Sequence, residues 1–161
     1  QNRTESNDQE WAGNDGGFVY APGQSPVGGT QSYGAMSFAG LKSLIFTRAK
    51  ADDPRVKAVW QWIRKNYDFA MHPGMGTASY FYYLQTAAEG LKAYGEVNVP
   101  DAKGRDRNWV ADLSDRMLSL QRPDGSWVNE NKKYWEGNPI MVTARSVVTL
   151  NNVLRAAGAL E

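Results

Sequence analysis

The chain has 161 residues, 42% of them hydrophobic and 22% charged, which is enough apolar material for one packed core and at most two domains. With 18 basic and 17 acidic residues the formal net charge is +1, so nothing electrostatic points to a nucleic acid or an anionic membrane as partner. Cysteine is absent, which excludes disulfides, thiolate metal ligands and cysteine nucleophiles, and no apolar run reaches the roughly 18–20 residues of a membrane span.

The sequence starts at Gln1 without Met and carries no signal-peptide pattern, so a processed protein or a piece of a longer one is expected. Its compartment stays open, export after signal-peptide removal included. Residues 1–33 are rich in Gly, Asn, Ser, Gln and Pro and read as an irregular segment ahead of a helical domain, 34–161. Within the opening segment Trp11, Phe18 and Tyr20 flank Asp15-Gly16-Gly17.

From about Tyr33 to Ala49, Met36, Phe38, Leu41, Leu44 and Ile45 recur at helical spacing with small Gly34, Ala35, Ala39 and Gly40 between them. Asp53 then caps a second helix that has Pro54 at its first position and runs to about Asn66 on a stripe of Val56, Val59, Trp60 and Ile63. The connection is short, as between antiparallel neighbours. Met71 to Gly76 forms a Pro- and Gly-bearing loop. Ser79 is the expected N-cap of a third helix through about Ala93, in which Tyr80, Tyr83, Leu84, Ala87 and Leu91 share a face and Tyr82 stands apart beside Gln85 and Glu89. Gly95 ends it.

A fourth helix spans about Asp106 to Leu120 on Val110, Leu113, Met117 and Leu120, and closes on Gln121-Arg122-Pro123-Asp124-Gly125-Ser126-Trp127. Pro fixes φ, Asp bonds its own backbone and Gly accepts positive φ, while the Trp127 ring is placed to cap the helix before it. Asn138-Pro139 opens a last helix from Ile140 to about Ala157. About five helices and no convincing strand make the expected class all-α, built from antiparallel helical hairpins. Asp15-Gly16-Gly17-Phe18 reads as a degenerate second copy of the Asp124 to Trp127 turn, the sign of an internal repeat.

Leu118 to Trp127 resembles the QW motif of the squalene and oxidosqualene cyclases, which recurs in the protein prenyltransferase β subunits. Asp15 to Tyr20, Tyr33 to Leu41, Asp53-Pro54-Arg55-Val56 and Glu136 to Ala144 resemble bacterial proteins with prenyltransferase/squalene-oxidase repeats. The resemblance implies that the chain forms about half of an (α/α) toroid, a ring of alternating inner and outer helices around an apolar cavity. Either a missing N-terminal half or self-association would then complete the ring. Gln121, Asp124, Gly125 and Trp127 are its structural motif.

The family's chemistry is not carried over with its motif. Cationic cyclisation needs a strongly acidic carboxyl, supplied in the cyclases by Asp-x-Asp-Asp, and that motif is absent; Asp52-Asp53-Pro54 is the nearest acidic pair and reads as a helix cap. The prenyltransferase zinc site needs Cys, so neither a metal nor a cofactor is expected. His72, the sole histidine, and Glu136 are the candidates for acid–base work. Their structural alternatives are a loop histidine bonded to backbone, and a carboxylate that caps the following helix or pairs with Arg145. Aromatic residues make up 12% of the chain; Trp60, Tyr80, Phe81, Tyr83 and Trp127 are expected in packing, and Tyr82, Trp109 and Trp135 at a ligand. Three classes stay open: a cyclase-like domain holding an isoprenoid or other apolar molecule, a non-catalytic interaction domain, and a carbohydrate-active (α/α) barrel.

Overall fold

The computed structural model describes residues 1–160. It is mostly helical, with helices α1 (Gly34–Phe46), α2 (Pro54–Lys65), α3 (Tyr80–Tyr94), α4 (Trp109–Ser119) and α5 (Pro139–Ala156). The expectation of no strand is corrected by a small antiparallel hairpin, β1 (Asn98–Pro100) with β2 (Asp106–Asn108), in which Val99 faces Arg107. Its turn is held by Asp101, whose carboxylate accepts from the Lys103 and Arg105 amides and from the Arg105 guanidinium. The hairpin takes the first turn expected for α4, which starts instead at Asn108, whose side chain accepts from Ala111 N.

The odd-numbered helices lie side by side. α3 packs against α1 on one flank and α5 on the other, while α2 covers α1 and α4 lies against α5 and α3. The small residues read from the sequence decide how near they come. A Cβ on Gly90 would stand 2.9 Å from Phe38 O and one on Gly40 2.5 Å from the Phe18 ring, so both contacts exist only because glycine is there. The shared core holds Phe38, Leu41, Val59, Ile63, Tyr83, Leu84, Leu91, Leu113 and Met117. Each such side chain contributes roughly 1.5–3 kcal/mol by leaving water.

The stretch before α1 is irregular, as its composition predicts, yet it is tied down. Asn2 is buried and its side chain donates to Thr30 O and Ser32 Oγ while accepting from Gly13 N. The two turns of the suspected repeat share their local geometry. Asp15 Oδ1 accepts from Gly17 N and Asp124 Oδ1 from Ser126 N, both at 3.0 Å, and the intervening Gly16 and Gly125 have φ of 85° and 82°. The aromatic that follows each turn donates its amide to a hydroxyl in the next helix: Phe18 N to Ser37 Oγ and Trp127 N to Thr143 Oγ1, both at 3.1 Å.

The Gln121 to Trp127 stretch acts as the sequence suggests. Gln121 Nε2 donates to Gly125 O across the turn, and the buried Trp127 ring donates Nε1–H to Met117 O in the last turn of α4, a carbonyl it shares with Leu120 N. Trp60 stacks on Tyr94 at 4.1 Å, and Tyr80, Phe81 and Tyr83 are buried, so the aromatics assigned to packing do pack.

Candidate functional site

A cavity of about 590 Å³ opens at the N-terminal ends of α1 and α3. Tyr33, which precedes α1, and Met36 line one side, Ser79 and Tyr82 the next, and Arg145 of α5 the third. Two loops close it: Tyr20 to Pro26 from the opening segment, and Tyr134 from the link between α4 and α5. Such a volume lies within the range of small-molecule sites. The wall is mainly tyrosine and methionine, with Arg145 its sole charged residue.

Backbone strain gathers at this cavity. Among the described residues four other than glycine have positive φ, and two of them, Ser79 (54°) and Tyr134 (57°), line it, while Trp135 (66°) follows Tyr134. Each such residue costs roughly 1–2 kcal/mol, so the surrounding contacts must impose the conformation. The expectation that Ser79 caps α3 fails for the same reason: in the left-handed region its side chain makes no cap bond.

The cap comes from far along the chain. Glu136 is buried, and its carboxylate accepts from Tyr80 N at 2.7 Å, Tyr82 N at 2.9 Å and Asn129 Nδ2 at 2.7 Å. Its charge therefore faces the positive end of α3. It caps neither the following helix, which Asn138 starts, nor pairs with Arg145. His72 does the same for α1. Nε2 accepts from Ala35 N at 2.9 Å, so the proton sits on Nδ1, which donates to Ala78 O at 2.9 Å. The ring stacks on Tyr83 at 4.6 Å, and burial lowers its pKa to about 4. The two acid–base candidates thus hold the starts of α1 and α3, and neither lines the cavity.

Of the other candidates, Tyr82 alone reaches the cavity. Trp109 is a core residue, 1% exposed, with Nε1 donating to Glu96 O. Trp135 is 80% exposed and turned away, because consecutive positive-φ residues put Tyr134 into the cavity and Trp135 outside it. Gln121, Asp124, Gly125 and Trp127 stay with the turn. The remaining lining residues arrive from loops with no periodic signal. Arg145 had one legible sign, a cation in the first half of a helix whose buried face is Val142, Ser146, Thr149 and Val153.

The tyrosines and the arginine set the electrostatics. Burial, then the neighbouring Tyr82, Tyr134 and Tyr20 phenols, push the Tyr33 phenol up to about 12, so it remains a neutral hydroxyl. The Arg145 guanidinium lies over the Tyr82 ring at 5.0 Å and its Nη1 donates to Gln85 Oε1 at 3.4 Å. Its Nε is buried and has no hydrogen-bond partner. A second cleft, about 450 Å³, contains Asp112 and Asp115, but Asp112 is taken up by Arg107 and the Tyr67 hydroxyl. Among the described residues no group of three His, Cys, Asp or Glu side chains could hold a metal ion, and no helix is long and apolar enough to cross a membrane. No family model, curated protein or solved structure matches the chain.

Proposed function

We propose that this chain is part of an (α/α) toroid of the squalene-cyclase and prenyltransferase-repeat type, with α1, α3 and α5 as inner helices and α2 and α4 as outer ones. On this reading the tyrosine- and methionine-lined cavity binds an apolar molecule of isoprenoid or similar size and carries out no acid–base chemistry upon it. The cavity carries the reading: it combines an apolar wall and strained lining residues with the absence of any carboxylate or imidazole among its lining residues. The twin Asp-Gly turns support the repeat.

A carbohydrate-active barrel would need two carboxylates roughly 5–10 Å apart beside aromatic platforms, and this cavity contains none. An interaction domain finds support at a different place. Ile140, Val147 and Leu154 form an exposed stripe along α5 at 81%, 57% and 44%. In a toroid that stripe is where a further inner helix packs, as α5 packs on α3.

Binding of farnesol, followed by quenching of intrinsic fluorescence, tests the reading. The expected result is saturable binding that Tyr82→Ala weakens about tenfold, the loss of one aromatic contact and its buried area. Absence of saturable binding, or binding that Tyr82→Ala leaves unchanged, would overturn it.

A further inference from the structure

Resting on the reading of this cavity as a ligand site, we infer that its natural occupant is an organic carboxylate: a flat or apolar body ending in one carboxyl group, which the Arg145 guanidinium receives.

The inference starts from where the chain spends its charges. Buried polar groups are almost always satisfied, because leaving one without a partner costs about 1–3 kcal/mol. Arg145 Nε is one of only two buried side-chain nitrogen or oxygen atoms without a partner among the described residues. The nearest carboxylate in sequence to serve it, Glu136, is fully engaged at the start of α3. No other carboxylate among the described residues forms an ion pair with Arg145. The arginine is nevertheless held in place. The Tyr82 ring lies against its flat face, Gln85 takes Nη1, and the side chain lines the cavity as its sole charge. A guanidinium held in a cavity wall by one face and one corner, with no carboxylate of the described residues paired to it, is suited to a planar two-oxygen group.

Charge count selects among oxyanions. The cavity offers a single positive charge, balanced by one carboxylate. A phosphate dianion would leave an uncompensated charge against tyrosine and methionine, which is costly away from water. The Tyr33 phenol stays neutral and supplies a hydroxyl donor, while the aromatic faces suit the body of the ligand.

The test uses three ligands with one body: naphthoate, naphthyl methanol and naphthyl phosphate, titrated calorimetrically into the whole chain. Naphthoate is expected to bind at least about tenfold tighter than naphthyl methanol, the size of a charge-assisted hydrogen-bond pair in a sheltered site. Arg145→Met should abolish the preference for the acid over the alcohol, and Arg145→Lys should keep part of it. Equal affinity of the acid and the alcohol for the wild-type chain would overturn the carboxylate and leave the apolar site standing. Tighter binding of the phosphate would overturn the choice of oxyanion. Failure of all three to bind would overturn the site and this inference together.

Discussion

At the scale of single residues, His72 and Glu136 show how a chemically suggestive side chain is absorbed by backbone. An imidazole with both nitrogens committed to peptide groups cannot exchange protons freely, and the cost of charging it appears as stability. The folded pKa lies near 4 against about 6.5 unfolded. Above pH 6.5 both states are neutral and the full contribution is present; as pH falls from 6.5 toward 4 the unfolded chain takes up a proton that the folded one refuses. Urea unfolding of the wild type should therefore lose about 3 kcal/mol across that window, and His72→Gln, which cannot titrate, should lose much less. Parallel losses in the two proteins would contradict the capping role. The sequence flagged His72 because it stands alone, but the amide that it serves is 37 residues away. No local pattern reports such a partner.

At the scale of elements, legibility divides by the range of the cause. The helices were readable since their buried residues repeat every three or four positions, and the α2 start was readable because Asp53 and Pro54 do their work within one turn. Trp127 was readable likewise, since its partner Met117 O lies ten residues back, as the spacing of 10 records. The hairpin of β1 and β2 was not, because three-residue strands are too short to show alternation, and their pairing depends on Asp101 and Arg105. The start of α3 was misread for a related reason: Ser79 has the composition of a cap, but the backbone turns left-handed there and Glu136 supplies the acceptors from 56 residues away. Substitution ranks the two kinds of device. Glu136→Ala strands the Tyr80 and Tyr82 amides and is expected to destabilise by about 3 kcal/mol, with Glu136→Gln recovering roughly half through its remaining oxygen. Thermal or chemical unfolding reads the difference, and a neutral Glu136→Ala would show that water replaces the carboxylate without loss.

At the scale of the whole molecule, each odd-numbered helix is preceded by an Asp turn, and α3 and α5 also by a helix before that turn. Asp68 adds a third turn before α3, where its Oδ1 accepts from Ala70 N at 2.6 Å. If the turns are equivalent, equivalent bonds should cost alike. Ser37→Ala and Thr143→Val each remove the hydroxyl that receives the amide after the turn, so each should destabilise by about 1 kcal/mol with similar midpoint shifts in urea. A large effect at one site and none at the other would mean that the likeness of the turns is superficial. The cavity was the least legible feature at this scale, since Tyr20, Tyr33, Tyr82, Tyr134 and Arg145 come together only when three helices and two loops have stacked. The long-range caps bear on the order in which the molecule is made. As the chain emerges from the ribosome, α1 cannot be sealed until His72 has followed it out, and α3 waits for Glu136, beyond the end of α4. Each later segment thus finishes the start of a helix already made, so assembly is paced from the C-terminal side even though synthesis runs from the N-terminus.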